Sequence, residues 1–491
     1  MPSSSDSTAI PDRPPGPSQP ELPTARDGWR AGRGSEVVTR LRLMSVRVRR
    51  LLRLAALFAR RTAGVGWLRA RTLRADRTRR AELEARFATR SAEDVAAALG
   101  QLRGVAAKMG QLVSYLGEGL PPEARRTLTQ LQADLEPMAP SLVERTLRQE
   151  LGSGPGRHFA RFDPDPVAAA SIGQVHRAVA WDGEELAVKI QYPGAADAIA
   201  ADLANAELFV PFLSGLILPG LSASAIVAEV RDRISGELDY RREAAELAFF
   251  HHAFDGHPAV TVPRPRADLS TGRVLTMSWL DGDRLDDFVA TAAPEVQNLA
   301  GEAVFRFVQR SVHQLGRFQG DLQPGNLRFG PDGRVGICDF GLVKHWGPGE
   351  WEAMEPVLDA VLDQDAERTV TAMERAGFIR PDHGLPAGRV FAYVATAYEP
   401  YVAERFRFSP EFVRTQLAKY LDLRGPEREV AVTLDLPPAF VVLDRVVWGT
   451  TSLLGRLGAE GPWRAIQLEY RQGRPPATPM GEAERRWAAA R

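Results

Sequence analysis

Between Gly316 and Gly341 the chain reads GRFQGDLQPGNLRFGPDGRVGICDFG, and no other stretch restricts its fold so tightly. Two short apolar runs, Leu327 to Phe329 and Val335 to Cys338, flank Asp332-Gly333, a strong signal for a tight turn between antiparallel strands. Pairing the runs has a chemical consequence. Asn326 enters the first strand and Asp339 leaves the second, so their side chains end at roughly cross-strand distance. Both offer hard oxygen ligands, a set suited to Mg2+ bridging nucleotide phosphates. Asp321 stands five residues before Asn326, the spacing of a base-like Asp ahead of a metal-binding Asn. An Asp-Phe-Gly alone also occurs on ordinary surface hairpins. Here the upstream D-x-x-x-x-N and the intervening hairpin carry the reading.

Composition sets the outer limits. A chain of 491 residues holds two or three domains with a sizeable core. Its 62 basic and 62 acidic side chains cancel, yet residues 35 to 90 are rich in Arg, so a local basic segment matters more than the net value. No nucleic-acid partner is expected. The single cysteine, Cys338, excludes an internal disulfide and fits a reducing compartment. No uninterrupted apolar run reaches the length of a membrane span: Leu208 to Leu221 is too short, and Phe440 to Leu457 carries Asp444, Arg445 and Arg456. With no secretory pattern at the start, a cytoplasmic location is expected, peripheral at the inner face of the membrane if the basic segment binds lipid. Only four lysines occur, Lys108, Lys189, Lys344 and Lys419, against a background of Arg. Such a chain keeps Lys where a compact ammonium is needed and a planar guanidinium does not fit.

Residues 1 to 34 are rich in Pro, Ser and Gly and are expected to be a disordered tail. From Glu36 to Arg61 a helix is predicted, with Leu41, Met44, Val48, Leu51 and Phe58 on one face and Arg42, Arg49, Arg53 and Arg60 on the other. It fits peripheral contact with an anionic membrane. It fits equally a helix packed on the main domain with a solvated Arg face. Ser91 opens a helical extension, residues 91 to 152, whose stripe runs from Val95 to Leu116. Lys108 and Gln111, in Lys-Met-Gly-Gln with Gly110 between, lie opposite that stripe. Gly104 and Gly110 each cost about 1 kcal/mol relative to Ala, and close approach of another backbone accounts for both them and the rare Lys108.

Residues 153 to 280 read as a strand-rich unit. Gln174 to Ala180 and Glu185 to Gln191 are predicted strands meeting around Asp182-Gly183. Ala168, Ala169, Ala170 and Ser171 fall in a small-residue loop before them, where a backbone can approach phosphates. Lys189 lies in Ala-Val-Lys on the second strand, where the protein-kinase pattern puts the lysine that holds the α- and β-phosphates. A long helix is predicted from Ser222 to Phe250. In it Asp239 and Glu243 are one turn apart and repel. Pairing Glu243 with Lys189 removes the conflict and leaves Glu237 and Asp239 for Lys108, another cation or solvent; an exposed acidic stripe relieved by Arg241 and Arg242 is the plainer alternative. Val274 to Leu280 reads as a strand ahead of Asp281-Gly282, where a kinase chain crosses between lobes and meets adenine; Met277 is the base-contacting residue expected there. Residues 281 to 470 look mainly helical, no Ala-Pro-Glu follows Gly341, and residues 471 to 491 are expected to fray.

Over roughly residues 92 to 457 the chain resembles the UbiB-like atypical kinase family, proteins tied to ubiquinone and other isoprenoid-lipid metabolism. The resemblance rests on KMGQLVSYLGEGLPPE, FDPDPVAAASIGQVHRA, LAVKIQYPG, ELDYRREAAE, DLQPGN and CDFG, all in family order. It implies an α+β, bilobal protein-kinase-like fold with an N-terminal helical extension packed over the active site. It further implies that Lys189 pairs with Glu243 and touches ATP or ADP, that Asn326 and Asp339 hold Mg2+, and that Asp321 takes the base position. Ala168 to Ser171 look like the alanine-rich loop that replaces the glycine loop. Lys108, Gly110 and Gln111 would meet Glu237 and Asp239 as a regulatory contact over the peptide site.

Three residues depart from the family pattern: Ser278 at the hinge, where an acidic residue is common but adenine recognition uses backbone groups, and two glutamines. Gln319 and Gln323 stand where the family usually has His, and position 323 is where protein kinases carry a charge-neutralising lysine. One lost donor of this kind costs about 3 kcal/mol of transition-state stabilisation. Nucleotide binding is thus better supported than turnover; the function expected from the motif set and the resemblance is an Mg2+-dependent ATPase or small-molecule kinase supporting isoprenoid-quinone metabolism, with a lipid or quinone precursor as its partner. The alternative is a nucleotide-gated regulator or chaperone-like scaffold of lipid-modifying enzymes.

Overall fold

The computed structural model describes residues 137–170, 172–194, 239–420, 428–435 and 438–491. The readings on residues 1–136, including Lys108, Gly110, Gln111 and the helix at 36–61, and those on Ser171 and Glu237 lie outside them.

Helix α1, Pro140–Leu151, buries Val143, Thr146 and Leu147, a stripe at helical spacing. Val143 and Leu147 join a core with Ala178, Ala180, Leu186, Val188 and Ile190 of an antiparallel sheet. That sheet orders β1 (Phe159–Ala170), β2 (Gly173–Ala180), β3 (Glu185–Gln191) and β4 (Val274–Ser278) as neighbours in turn. Side chains alternate along a strand, so Leu186, Val188 and Ile190 face this core and Lys189 faces the other way.

Two expectations fail here for local reasons. Ala168, Ala169 and Ala170 do not form a loop; they complete β1, paired with Val175, Gln174 and Gly173 of β2. Alanine has nothing that breaks a strand, and the preceding prolines fall at irregularities between Phe162 and Ala168, where a missing ladder N–H is tolerated. Helix α2, Tyr240–Ala253, does not run through Asp239 either. Asp239 has extended dihedrals, and its side chain caps α2 by accepting from the Arg241 N–H. It therefore shares no helical face with Glu243.

The second lobe is mainly helical. Its centre is α3, Pro294–Arg310, buried at Ala300, Ala303, Val304, Phe305, Arg306, Phe307 and Val308. A π-helical turn, Ser311–Leu315, ends at Gly316 with φ 63° and releases the chain into the stretch that opens the sequence reading. Within it β5 (Arg317–Gln319) pairs with β8 (Val343–His345), and β6 (Leu327–Phe329) with β7 (Val335–Ile337), antiparallel. Gly333 takes φ 83° in the β6–β7 turn, as Asp332-Gly333 predicts. After helices such as Glu350–Leu362 come α4 (Pro438–Leu457), α5 (Trp463–Gln472) and α6 (Pro479–Ala489). The expected fraying tail is thus wrong over α6, because Thr478 caps the helix, Pro479 starts it, and Gly481 and Glu484 are buried. Among the described residues no helix is long and apolar enough to cross a membrane.

Candidate nucleotide and metal site

Lys189 projects from the face of β3 away from the α1 core, and α2 brings Glu243 to it. The ammonium donates to both carboxylate oxygens, at 2.8 and 2.9 Å, and lies 3.5 Å from Asp339 Oδ2. The side chains of Lys189 and Glu243 are only 10% and 3% exposed, so neither charge is relieved by water. Burial alone lowers the lysine pKa; the charges of Asp339 and Glu243 outweigh it and raise the pKa, keeping the ammonium charged. The Tyr240 ring closes another side, 5.1 Å from Nζ.

Above this cluster, the β1–β2 hairpin passes close to α2. A Cβ on Gly173 would lie 2.3 Å from the Ile190 carbonyl and 3.0 Å from the Tyr240 hydroxyl, so only glycine fits. Met277 lies within β4, paired with Ala187 on one side and bridged to Pro265 on the other, and is 6% exposed.

The hairpin motif assembles as its pairing requires. The Cys338 N–H donates to the Asn326 carbonyl at 2.9 Å, which holds residues 326 and 338 side by side. Asn326 Nδ2 donates to the Asp321 carbonyl at 3.0 Å, which leaves Oδ1 as the side-chain atom that could take a metal. Asp339 Oδ1 accepts from the Gly341 N–H at 2.8 Å. Phe340 stacks on Phe250 of α2 at 4.7 Å, fixing the turn that carries Asp339. Among the described residues no three His, Cys, Asp or Glu gather to hold a metal alone. An amide and a carboxylate oxygen suit Mg2+, which keeps waters and takes phosphate oxygens besides one or two protein ligands.

Gln319 and Arg445 give the loop a character the motifs do not reveal. Gln319 is 1% exposed; its amide donates to the carbonyls of Asp321, at 2.9 Å, and Asp339, at 3.1 Å, and its oxygen accepts from the Asp321 N–H. It therefore ties the two acidic segments together. The Asp321 carboxylate is paired with the Arg445 guanidinium from α4, and both side chains are mostly buried. The sequence signal for Arg445 is a charged pair, Asp444-Arg445, inside an otherwise apolar run. Burial pushes the adjacent Cys338 thiol up to about 11.

The two-lobed α+β architecture and this arrangement define a kinase-like domain. Comparison with known proteins agrees: residues 130–373 match the ABC1 atypical kinase-like domain. The mitochondrial atypical kinase COQ8 of Saccharomyces cerevisiae is 33% identical over 243 residues, 49% of this chain and 48% of that protein. The uncharacterized protein Rv0647c of Mycobacterium tuberculosis is 33% identical over 289 residues, 56% of this chain and 58% of that one. The chain thus spans about half to three fifths of these relatives. A solved complex of Rv3197 with erythromycin, from Mycobacterium tuberculosis, has a TM-score of 0.57 at 32% identity, covering 74% of this chain and 92% of that one. The chain belongs to the UbiB-like atypical kinase family.

Proposed function

We propose that this protein binds ATP or ADP with Mg2+ and acts as an ATPase or small-molecule kinase in isoprenoid-quinone metabolism. The observation that carries the nucleotide reading is the convergence of Lys189, Glu243 and Asp339 beneath the β1–β2 hairpin. In this reading Lys189 holds the α- and β-phosphates, Glu243 fixes Lys189, and Asn326 and Asp339 hold the metal. The metal, when bound, neutralises charge developing on the phosphoryl oxygens. Asp321 accepts the proton of the attacking hydroxyl or water. The quinone link is drawn from the family resemblance, and peripheral membrane contact through residues 36–61 is drawn from the sequence.

A specific observation favours a second reading, a slow nucleotide-gated regulator. Asp321 is engaged by Arg445, and Gln323 brings only a dipole where a lysine would bring charge. Thermal melting with ATP and ADP, each with and without Mg2+, tests the nucleotide site; no shift with either nucleotide removes both readings. Steady-state phosphate release then separates them: turnover stimulated by lipid-like additives supports the enzyme, and binding with partner release but no hydrolysis supports the regulator.

A further inference from the structure

Helix α6 is fastened to the second lobe by a buried charge cluster. Arg306, 1% exposed on α3, donates to Glu302 Oε1 at 2.7 Å, to both carboxylate oxygens of Glu469 on α5, at 2.8 and 3.1 Å, and to Glu484 Oε2 at 3.4 Å. It also donates to the capping hydroxyl of Thr478 at 3.0 Å. A Cβ on Gly481 would lie 2.4 Å from Arg306 Nη2, so α6 sits as close to this guanidinium as a backbone can. The seat is built for this helix.

From that seat α6 reaches the far end of α2, the helix that carries Glu243. The Trp487 indole N–H donates to the Asp255 carbonyl at 2.8 Å. Arg491 donates to the carbonyls of His252, Ala253 and Asp255. The first two are terminal carbonyls of α2, where the helix end attracts a cation; that of His252 also accepts from the Phe254 and Asp255 N–H groups. Rings continue the contact inward. Trp487 meets His257 at 4.8 Å, His257 meets Phe254 at 5.3 Å, Phe254 stacks on Phe250 at 6.5 Å, and Phe250 stacks on Phe340 at 4.7 Å. Phe340 directly follows Asp339.

We infer that α6 is a positioning element for the nucleotide site. Trp487 and Arg491 fix the carboxyl end of α2, and the helix and its Phe254–Phe250–Phe340 stack carry that restraint to Glu243 and Asp339. A helix of 14 residues is a rod of about 21 Å, so play at one end appears at the other. A buried Lys–carboxylate pair tolerates only about 0.5 Å of it. The inference rests on the nucleotide-site reading for its consequence but not for its geometry.

Hydrogen exchange on the full chain without nucleotide tests the geometry, and titration with a fluorescent ADP analogue and Mg2+ tests the consequence. In Trp487→Ala, exchange is expected to speed up about tenfold over residues 240–257 and 339–341 as well as over α6. Affinity for the ADP analogue should fall about fivefold. Trp487→Phe, which keeps the ring and loses the N–H, should lie between wild type and Trp487→Ala. Combined with Glu243→Gln, Trp487→Ala should cause little further loss, because both act through one contact. Faster exchange confined to α6, uniform acceleration along the whole chain, or an additive affinity loss overturns the inference. A wild type that binds no Mg·ADP sinks the nucleotide reading instead, and the exchange comparison alone then decides the coupling.

Discussion

Lys189 and Asp321 are both paired, but with different kinds of partner. Lys189 meets Glu243 and Asp339, residues of motifs that a kinase-like chain needs in any case. Asp321 meets Arg445, which belongs to no motif and reaches the loop from 124 residues further along. In the proposed reading the phosphate and metal half of the site is assembled from its own chemistry, whereas the transfer half is held by Arg445, which competes for Asp321. That reading makes binding and turnover separable, and each side of the comparison can be attacked alone.

The largest effect is expected from Lys189→Met. It leaves the Glu243 carboxylate, 3% exposed, without its counter-charge, which costs about 3–5 kcal/mol when a buried pair loses one member. Chemical denaturation should show this loss and its recovery when Glu243→Leu is added; unchanged stability would mean the pair does not hold α2. Next comes the metal. At about 100 times Kd, Mg·ADP should stabilise the wild type by about 2.7 kcal/mol, and both EDTA and Asp339→Asn should abolish the gain. A gain that survives Asp339→Asn would remove that carboxylate from the metal site.

Gln323→Lys sharpens the other half. Supplying the missing cation should raise phosphate release about tenfold, near 1.4 kcal/mol of barrier, with nucleotide affinity little changed. No increase would show that neutral Gln323 is not what limits transfer. The smallest effect concerns the π-helical turn from which the loop hangs. Burial, aided by the Arg471 charge, pushes the pKa of His313 down to about 3 from the ordinary 6.5. The unfolded chain takes up a proton that the folded chain refuses, so stability is complete above pH 6.5 and is lost as the pH falls below it. His313→Gln should flatten the decline between pH 6.5 and 5.5 by about 1 kcal/mol, measured by denaturation at each pH. An equally steep decline in the variant would assign the acid sensitivity elsewhere.

What could be read in advance follows the same division. The β6–β7 hairpin and its Asp-Gly turn were legible because strand period, turn chemistry and ligand positions lie within one short stretch. The Lys189–Glu243 contact was legible because Ala-Val-Lys on a strand calls for a carboxylate partner; the like-charge conflict with Asp239 that also pointed to it is absent, since Asp239 lies ahead of the helix. Ala168 to Ala170 were misread because small side chains permit a loop without demanding one. Asp239 was misread because a capping Asp and a helical Asp look alike until the Arg241 N–H is located. Arg445 was seen only as a charge that spoils an apolar run, since nothing local names a partner 124 residues away. The α6 helix carried a readable start in Thr478-Pro479, but the surrounding Pro, Gly and Arg hid it.

The Arg306 cluster also bears on the order in which the protein is made. Glu469 is synthesised 163 residues after Arg306, and Glu484 178 residues after it. At about 5–20 residues per second this is an interval of roughly ten to thirty seconds. During that time α3, the central helix of the second lobe, carries a guanidinium that has only Glu302, on its own helix, of the three carboxylates that later surround it. A chain halted before Glu469 is therefore expected to keep α3 open to proteolysis.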